Sequence, residues 1–178
     1  MIQIKSNQGF TLIELLVVIA IIGVLASTVL ASLNTARQKA RNARRVADLR
    51  QISLALELYY DANNGYPNSI GAWRSECASW GNFTSDQVIP GLVPTYMPVF
   101  PTDPSMNKAG SLSCYLYLTS NVAAAPDYAL LDHSGPDITY TSQPSLEDPT
   151  RDGGTNACIL DGTGFWSWKV SSPGGRCW

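Results

Sequence analysis

Between Phe10 and Leu33 the chain reads FTLIELLVVIAIIGVLASTVLASL, 24 residues in which only Glu14 is charged. As a helix rising about 1.5 Å per residue, this segment spans a bilayer core of about 30 Å. A helix apolar on every side is embedded in lipid or buried in a bundle. The helical text does not stop there. Residues 34–63 contain neither Gly nor Pro and are rich in the helix formers Ala, Arg, Leu and Gln. Val46, Leu49, Ile52, Leu56, Tyr59 and Tyr60 fall within about 140° of one another at the helical period, a stripe suited to packing on a globular domain. Leu54 and Leu58 lie on the opposite face, for solvent or a neighbouring subunit. Asn63, Asn64, Gly65 and Pro67 form a stop, with Gly65 suited to a left-handed C-cap. The reading is one helix from about Phe10 to about Asn63, on the order of 80 Å long. One small domain cannot bury such a helix, so half of it needs lipid or other subunits.

Charge divides the chain in the same way. Arg37, Lys39, Arg41, Arg44, Arg45 and Arg50 form a basic band with one acid, Asp48, whereas from Asp61 onward eleven acids face five basic residues. Such an acidic head is a poor match for nucleic acid, which needs clustered Lys and Arg. We read the basic band as a solvated stem with some intersubunit pairs; acidic lipid head groups, DNA and the acidic heads of neighbours are the other partners it would suit. Four cysteines, Cys77, Cys114, Cys158 and Cys177, lie in the C-terminal two-thirds without a CxxC, and the chain has one histidine, which leaves little for zinc. An even number behind an export-type N-terminus favours two disulfides in an oxidising compartment. Of three pairings, Cys77–Cys114 and Cys158–Cys177 close the shorter loops.

After Gly65 the chain turns rich in Pro and Gly. Residues 66–110 read as a long loop with one short helix near Asp86. Alternation and β-branched or aromatic content place strands near 112–119, 127–132, 137–141, 157–160 and 165–170. The polar stretch 143–155 reads as an excursion between strands. The fold class is α+β, a long N-terminal helix packed on a small antiparallel sheet with a loop-rich C-terminal region. Trp166 and Trp168 share one side of a strand and read as core. Trp73, Trp80 and Trp178 read as surface or partner contacts.

The string Gly9-Phe10-Thr11-Leu12-Ile13-Glu14 opens the apolar run behind a short polar leader, residues 1–9, that carries Lys5. This resembles the class III signal of type IV prepilins and type II secretion pseudopilins. The similarity continues along the helix to YYDANNGYP; beyond it only the layout and fragments such as FPTDPS and CYLYLTS resemble the family. The resemblance implies that a membrane aspartyl protease, the prepilin peptidase, cuts after Gly9 and N-methylates Phe10. Glu14 is then the family's glutamate, fifth from Phe10. The division expected is leader 1–9, transmembrane and assembly half-helix 10–33, amphipathic half-helix 34–63 and globular head 64–178. Gly23 sits where many pilins have a helix glycine, while Ala31 stands about where many have a proline.

Chemistry supports a special role for Glu14, because an ionised carboxylate in hydrocarbon costs several kcal/mol unless paired. The Phe10 amine of an adjacent subunit is a suitable partner. An ordinary secretory signal, with its apolar region at Leu15–Val24 and cleavage near Ala26, or a plain signal anchor, leaves Glu14 unexplained. The positive-inside rule would place the Arg-rich stem in the cytoplasm; the cysteines and the resemblance place the head outside.

No catalytic residue and no cofactor is expected. G-x-S-x-G, P-loop, G-x-G-x-x-G and H-E-x-x-H strings are absent. Asp132, His133 and Ser134 adjoin in sequence, whereas triad members meet in space and successive strand residues point to opposite faces. Asp148 and Asp152 are a weak calcium candidate that turn chemistry also explains. Asn82-Phe83-Thr84 fits a glycosylation sequon.

The resemblance implies a structural subunit of a type IV pilus or related filament that polymerises through its helix. A type II secretion pseudopilin and a membrane-anchored binding protein that never polymerises are the alternatives. The implied partners are copies of itself or related subunits, the prepilin peptidase, an inner-membrane assembly platform with its ATPase, and membrane lipid before assembly. No specific nucleic acid is expected.

Overall fold

A computed structural model describes residues 9–110, 112–133 and 167–177, without the side chains of Ser167, Arg176 and Cys177. The expected strands at 137–141 and 157–160, the 143–155 excursion, Trp166 and Trp178 lie outside the described residues. The chain divides into two compact units, Met1–Ala40 and Arg41–Trp178. One helix, α1 (Leu12–Asn63), supplies the first unit and the start of the second.

In the second unit three strands, β1 (Cys114–Thr119), β2 (Tyr128–His133) and β3 (Ser167–Ser171), form an antiparallel sheet in the order β1-β2-β3. Register sets Tyr115, Asp132 and Trp168 side by side, and next to them Tyr117, Leu130 and Val170. Side chains alternate across a strand, so these two rows share one face. That face packs on the stripe of α1, where Leu49, Ile52 and Leu56 are fully buried and Val46, Tyr59 and Tyr60 partly so. Burying each large apolar side chain contributes about 1.5–3 kcal/mol. Leu54 and Leu58, on the other face, are 63% and 49% exposed.

The opposite face of the sheet is covered as well, so β2 is buried along its whole length rather than alternating. Cys77 and Cys114 are joined by a disulfide, and Leu116 and Leu131 pack with it beneath Trp73, Trp80 and Met106. Trp80 also meets His133 edge-on at 5.5 Å. Trp73 and Trp80 therefore roof a second small core instead of standing free on loops. The helix expected near Asp86 is a run of turns, whereas a 3-10 helix forms at Ala78–Trp80. It places the Cys77 backbone to accept the Trp80 and Asn82 N–H groups.

The C-cap also differs from expectation. Asn64, not Gly65, takes the left-handed conformation (φ 56°), and its N–H closes the helix on the Tyr60 carbonyl at 2.7 Å. Asn tolerates this region through its short polar side chain. Gly65 is required for another reason: a Cβ there would lie 2.7 Å from Cα of Ala124.

One charge of the basic band is inside. Arg45 is completely buried. Its Nε donates to Asp103 Oδ2 at 2.5 Å and lies 3.3 Å from Asp132 Oδ2. Other guanidinium nitrogens donate to Asp103 Oδ1, to Asn42 Oδ1 and to Ser105 Oγ. Asp48, one turn on, accepts the Tyr115 hydroxyl at 2.8 Å and lies 3.7 Å from the exposed Arg44. Asp132 is fully buried and its carboxyl oxygens accept no hydrogen bond among the described residues. Burial first, then the neighbouring Asp103 charge, lift its pKa well above the usual carboxylate range, against the opposing pull of Arg45. Burial also raises Asp48. A single guanidinium thus faces two fully buried carboxyl groups, those of Asp103 and Asp132. Asp132 points toward α1 and His133 away from it, so they are not an acid–base pair.

Gly65→Ala should destabilise this unit by about 1–3 kcal/mol in urea unfolding, while Asn64→Gly should cost only a few tenths of a kcal/mol. Opening the Cys77–Cys114 loop, with its separation of 37 residues, through Cys77→Ser with Cys114→Ser should remove roughly 4 kcal/mol. The folded chain keeps the Asp132 proton at pH values where the unfolded chain, with an ordinary pKa near 3.9, has released it. Stability should therefore fall as pH rises from about 4 toward the elevated value. Asp132→Asn should flatten that slope in thermal unfolding.

Candidate processing and assembly site

The start of α1 is organised by its own first residues. Thr11 precedes Leu12, the first helical residue, and Glu14 follows three positions later. The Thr11 N–H and hydroxyl both donate to Glu14 Oε2, at 2.9 and 2.7 Å. The Glu14 N–H donates back to Thr11 Oγ1 at 3.3 Å. This is a capping box, in which the hydroxyl and the carboxylate satisfy backbone donors that a helix end leaves free. Glu14 also places negative charge in the first turn, where the helix dipole favours it. The T-x-x-E spacing signals this cap in the sequence, and Thr11 was the residue missing from the sequence reading of the site.

Immediately before the cap, Gly9 is exposed and Phe10 is 82% exposed. Among the described residues, a Cβ on Gly9 would meet nothing within 4 Å. Glu14 stands one turn beyond the Gly9–Phe10 bond.

From Phe10 to Leu33 every large apolar side chain is exposed. An 18-residue window of α1 has a mean hydropathy of 2.7 and no buried share, which makes the helix long and apolar enough to cross a bilayer. Three of its hydroxyls bond locally: Ser27 and Thr28 donate to the carbonyls of Val24 and Leu25, and Thr35 to that of Ala31. Such back-bonding to a carbonyl three or four residues earlier is a common arrangement for hydroxyls inside a helix. Helix continues through Gly23 and Ala31 without a break.

The remaining candidate residues lie elsewhere. Cys77 and Cys114 staple the sheet of the second unit. Cys158, the Cys177 side chain, Asp148 and Asp152 lie outside the described residues. The Asn82 of the sequon is exposed, with φ 51°. The Arg45 cluster escaped the sequence reading because its acids come from two distant loop and strand positions.

One similarity to known proteins falls on the start of this helix. The prokaryotic N-terminal methylation motif family matches residues 4–30. The type II secretion system core protein G of Pectobacterium carotovorum subsp. carotovorum is 44% identical over 63 residues, covering 35% of this chain and 40% of that protein. The corresponding protein of Aeromonas hydrophila is 40% identical over 67 residues, 38% of this chain and 47% of that protein. The type IV wide pilus major component of Thermus thermophilus is 40% identical over 68 residues, 38% of this chain and 52% of that protein. The matched stretch thus spans about half the length of these curated relatives. No solved structure matches the chain. The chain therefore carries the prokaryotic N-terminal methylation motif at the head of a long helix on an α+β, pilin-like fold, and over about a third of its length it is similar to type II secretion core protein G and to a type IV pilus component.

Proposed function

We propose that this chain is a structural subunit of a type IV pilus or related filament. The prepilin peptidase cuts it between Gly9 and Phe10 and N-methylates Phe10, and it then polymerises through α1. One observation carries the reading: Glu14 is the sole charge in the exposed apolar segment Phe10–Leu33, one turn from the exposed Gly9–Phe10 junction. The capping box adds a physical role. Both Thr11 donors engage Oε2, which leaves Oε1 for a donor outside the chain. The Phe10 amine of a neighbouring copy is that donor. In lipid the carboxylate is costly; pairing in the filament removes the cost only at one axial offset and so sets the register. Before assembly α1 anchors the subunit in the membrane, its N-terminus on the cytoplasmic side and its disulfide-bearing head outside. Assembly requires a membrane platform, and the subunit works as a building block rather than a catalyst.

A type II secretion pseudopilin is the second reading. The relatives named core protein G favour it, and the type IV wide pilus component favours the first. Long surface fibres recovered by shearing mark a pilus; a short periplasmic filament without them marks the pseudopilin.

Mass spectrometry of the exported protein should find N-methylphenylalanine derived from Phe10 as its first residue. A terminus at Ser27 would overturn the reading. Glu14→Gln should be cleaved as well as the wild type yet lose most filament, assayed by crosslinking between copies near the helix start. Normal filament from this variant would refute the register role.

A further inference from the structure

The first unit ends in charge at a defined depth. Leu12 to Leu33 extends about 32 Å along the helix axis, the thickness of a hydrocarbon core. Arg37 and Lys39, both exposed and both on α1, follow Leu33 by about 6 and 9 Å. The headgroup layer adds roughly 5–8 Å on each side of the core. Helical side chains tilt toward the N-terminus, so these two long side chains lean back toward that layer and can snorkel into it. Arg37 and Lys39 are also two residues apart, about 200° around the helix. Their charges therefore point to opposite sides. A protein partner docks on one face, whereas phospholipid headgroups surround a lone helix on all sides.

We infer that Arg37 and Lys39 form a phosphate-binding collar that holds the unassembled subunit against anionic phospholipid headgroups. The collar rests on α1 crossing a bilayer before assembly. It fixes the depth of the helix and adds an anionic preference that the apolar segment lacks. The polar neighbours Asn34, Thr35 and Gln38 are compatible with the same wet layer. Each basic residue near an anionic surface strengthens association by about fivefold.

The full-length chain, reconstituted in phosphatidylcholine vesicles, can be probed with spin-labelled phosphatidylglycerol and spin-labelled phosphatidylcholine. Wild type should restrict phosphatidylglycerol several-fold more strongly than phosphatidylcholine at low salt, and the preference should shrink at 0.5 M salt, because the screening length falls from about 10 Å at 0.1 M toward about 3 Å at 1 M. Arg37→Gln with Lys39→Gln should bring the ratio close to one while leaving restricted phosphatidylcholine and Phe10 methylation unchanged. An unaltered ratio in this double variant overturns the collar. Loss of crosslinking between copies with an unaltered lipid ratio assigns the two residues to an acidic face of a second copy and likewise overturns it. If no lipid of either kind is restricted by the wild type, α1 does not cross the bilayer, and the membrane reading itself fails.

Discussion

Fifteen large apolar side chains between Phe10 and Leu33 are exposed along the helix, and everything else about the protein depends on what covers them. At about 1.5–3 kcal/mol for each side chain removed from water, the uncovered segment represents some tens of kcal/mol. This exceeds the 5–15 kcal/mol by which a typical domain is stable. A membrane or a bundle of like helices would satisfy it. Within either, a single carboxylate becomes the dominant electrostatic feature. Glu14 is tolerated at the very start of the helix because Thr11 and the helix dipole stabilise it there.

The head faces the opposite problem, with charge inside rather than apolar surface outside. Arg45 sits among Asp103, Asp132 and Asp48 where the helix meets the sheet. A buried ion pair is a weak source of stability, since desolvation offsets most of the attraction, but breaking one is costly. The cluster ties β2 and the loop that carries Asp103 to α1. Tyr115 spans the same region, its hydroxyl bound to Asp48. The disulfide works from the other face, tying the 66–110 loop to β1 and holding Trp73 and Trp80 over the sheet.

Much of this was legible in the sequence. The helix end, the apolar stripe at Leu49, Ile52 and Leu56, and the exposure of Leu54 and Leu58 follow from periodicity, which is local. Strands β1, β2 and β3 followed from alternation between turn residues. Two features misled. Gly65 was read as the left-handed cap, yet its neighbour Asn64 takes that conformation and the glycine answers to Ala124 across the chain. Trp73 and Trp80 were read as surface residues because nothing local marks a loop that folds back over a sheet.

The sequence by itself determined the N-terminal end of the protein. Its signals, Gly9-Phe10, the T-x-x-E cap and an unbroken apolar run, are contiguous, and their physical consequences need no distant partner. Tertiary structure alone decided what surrounds the buried member of the basic band. Arg45 falls at the helical spacing of Leu49, Ile52 and Leu56 and so on the packed face, but only the carboxyl groups of Asp103 and Asp132, brought to it by the folded loop and strand, give a buried guanidinium its partners.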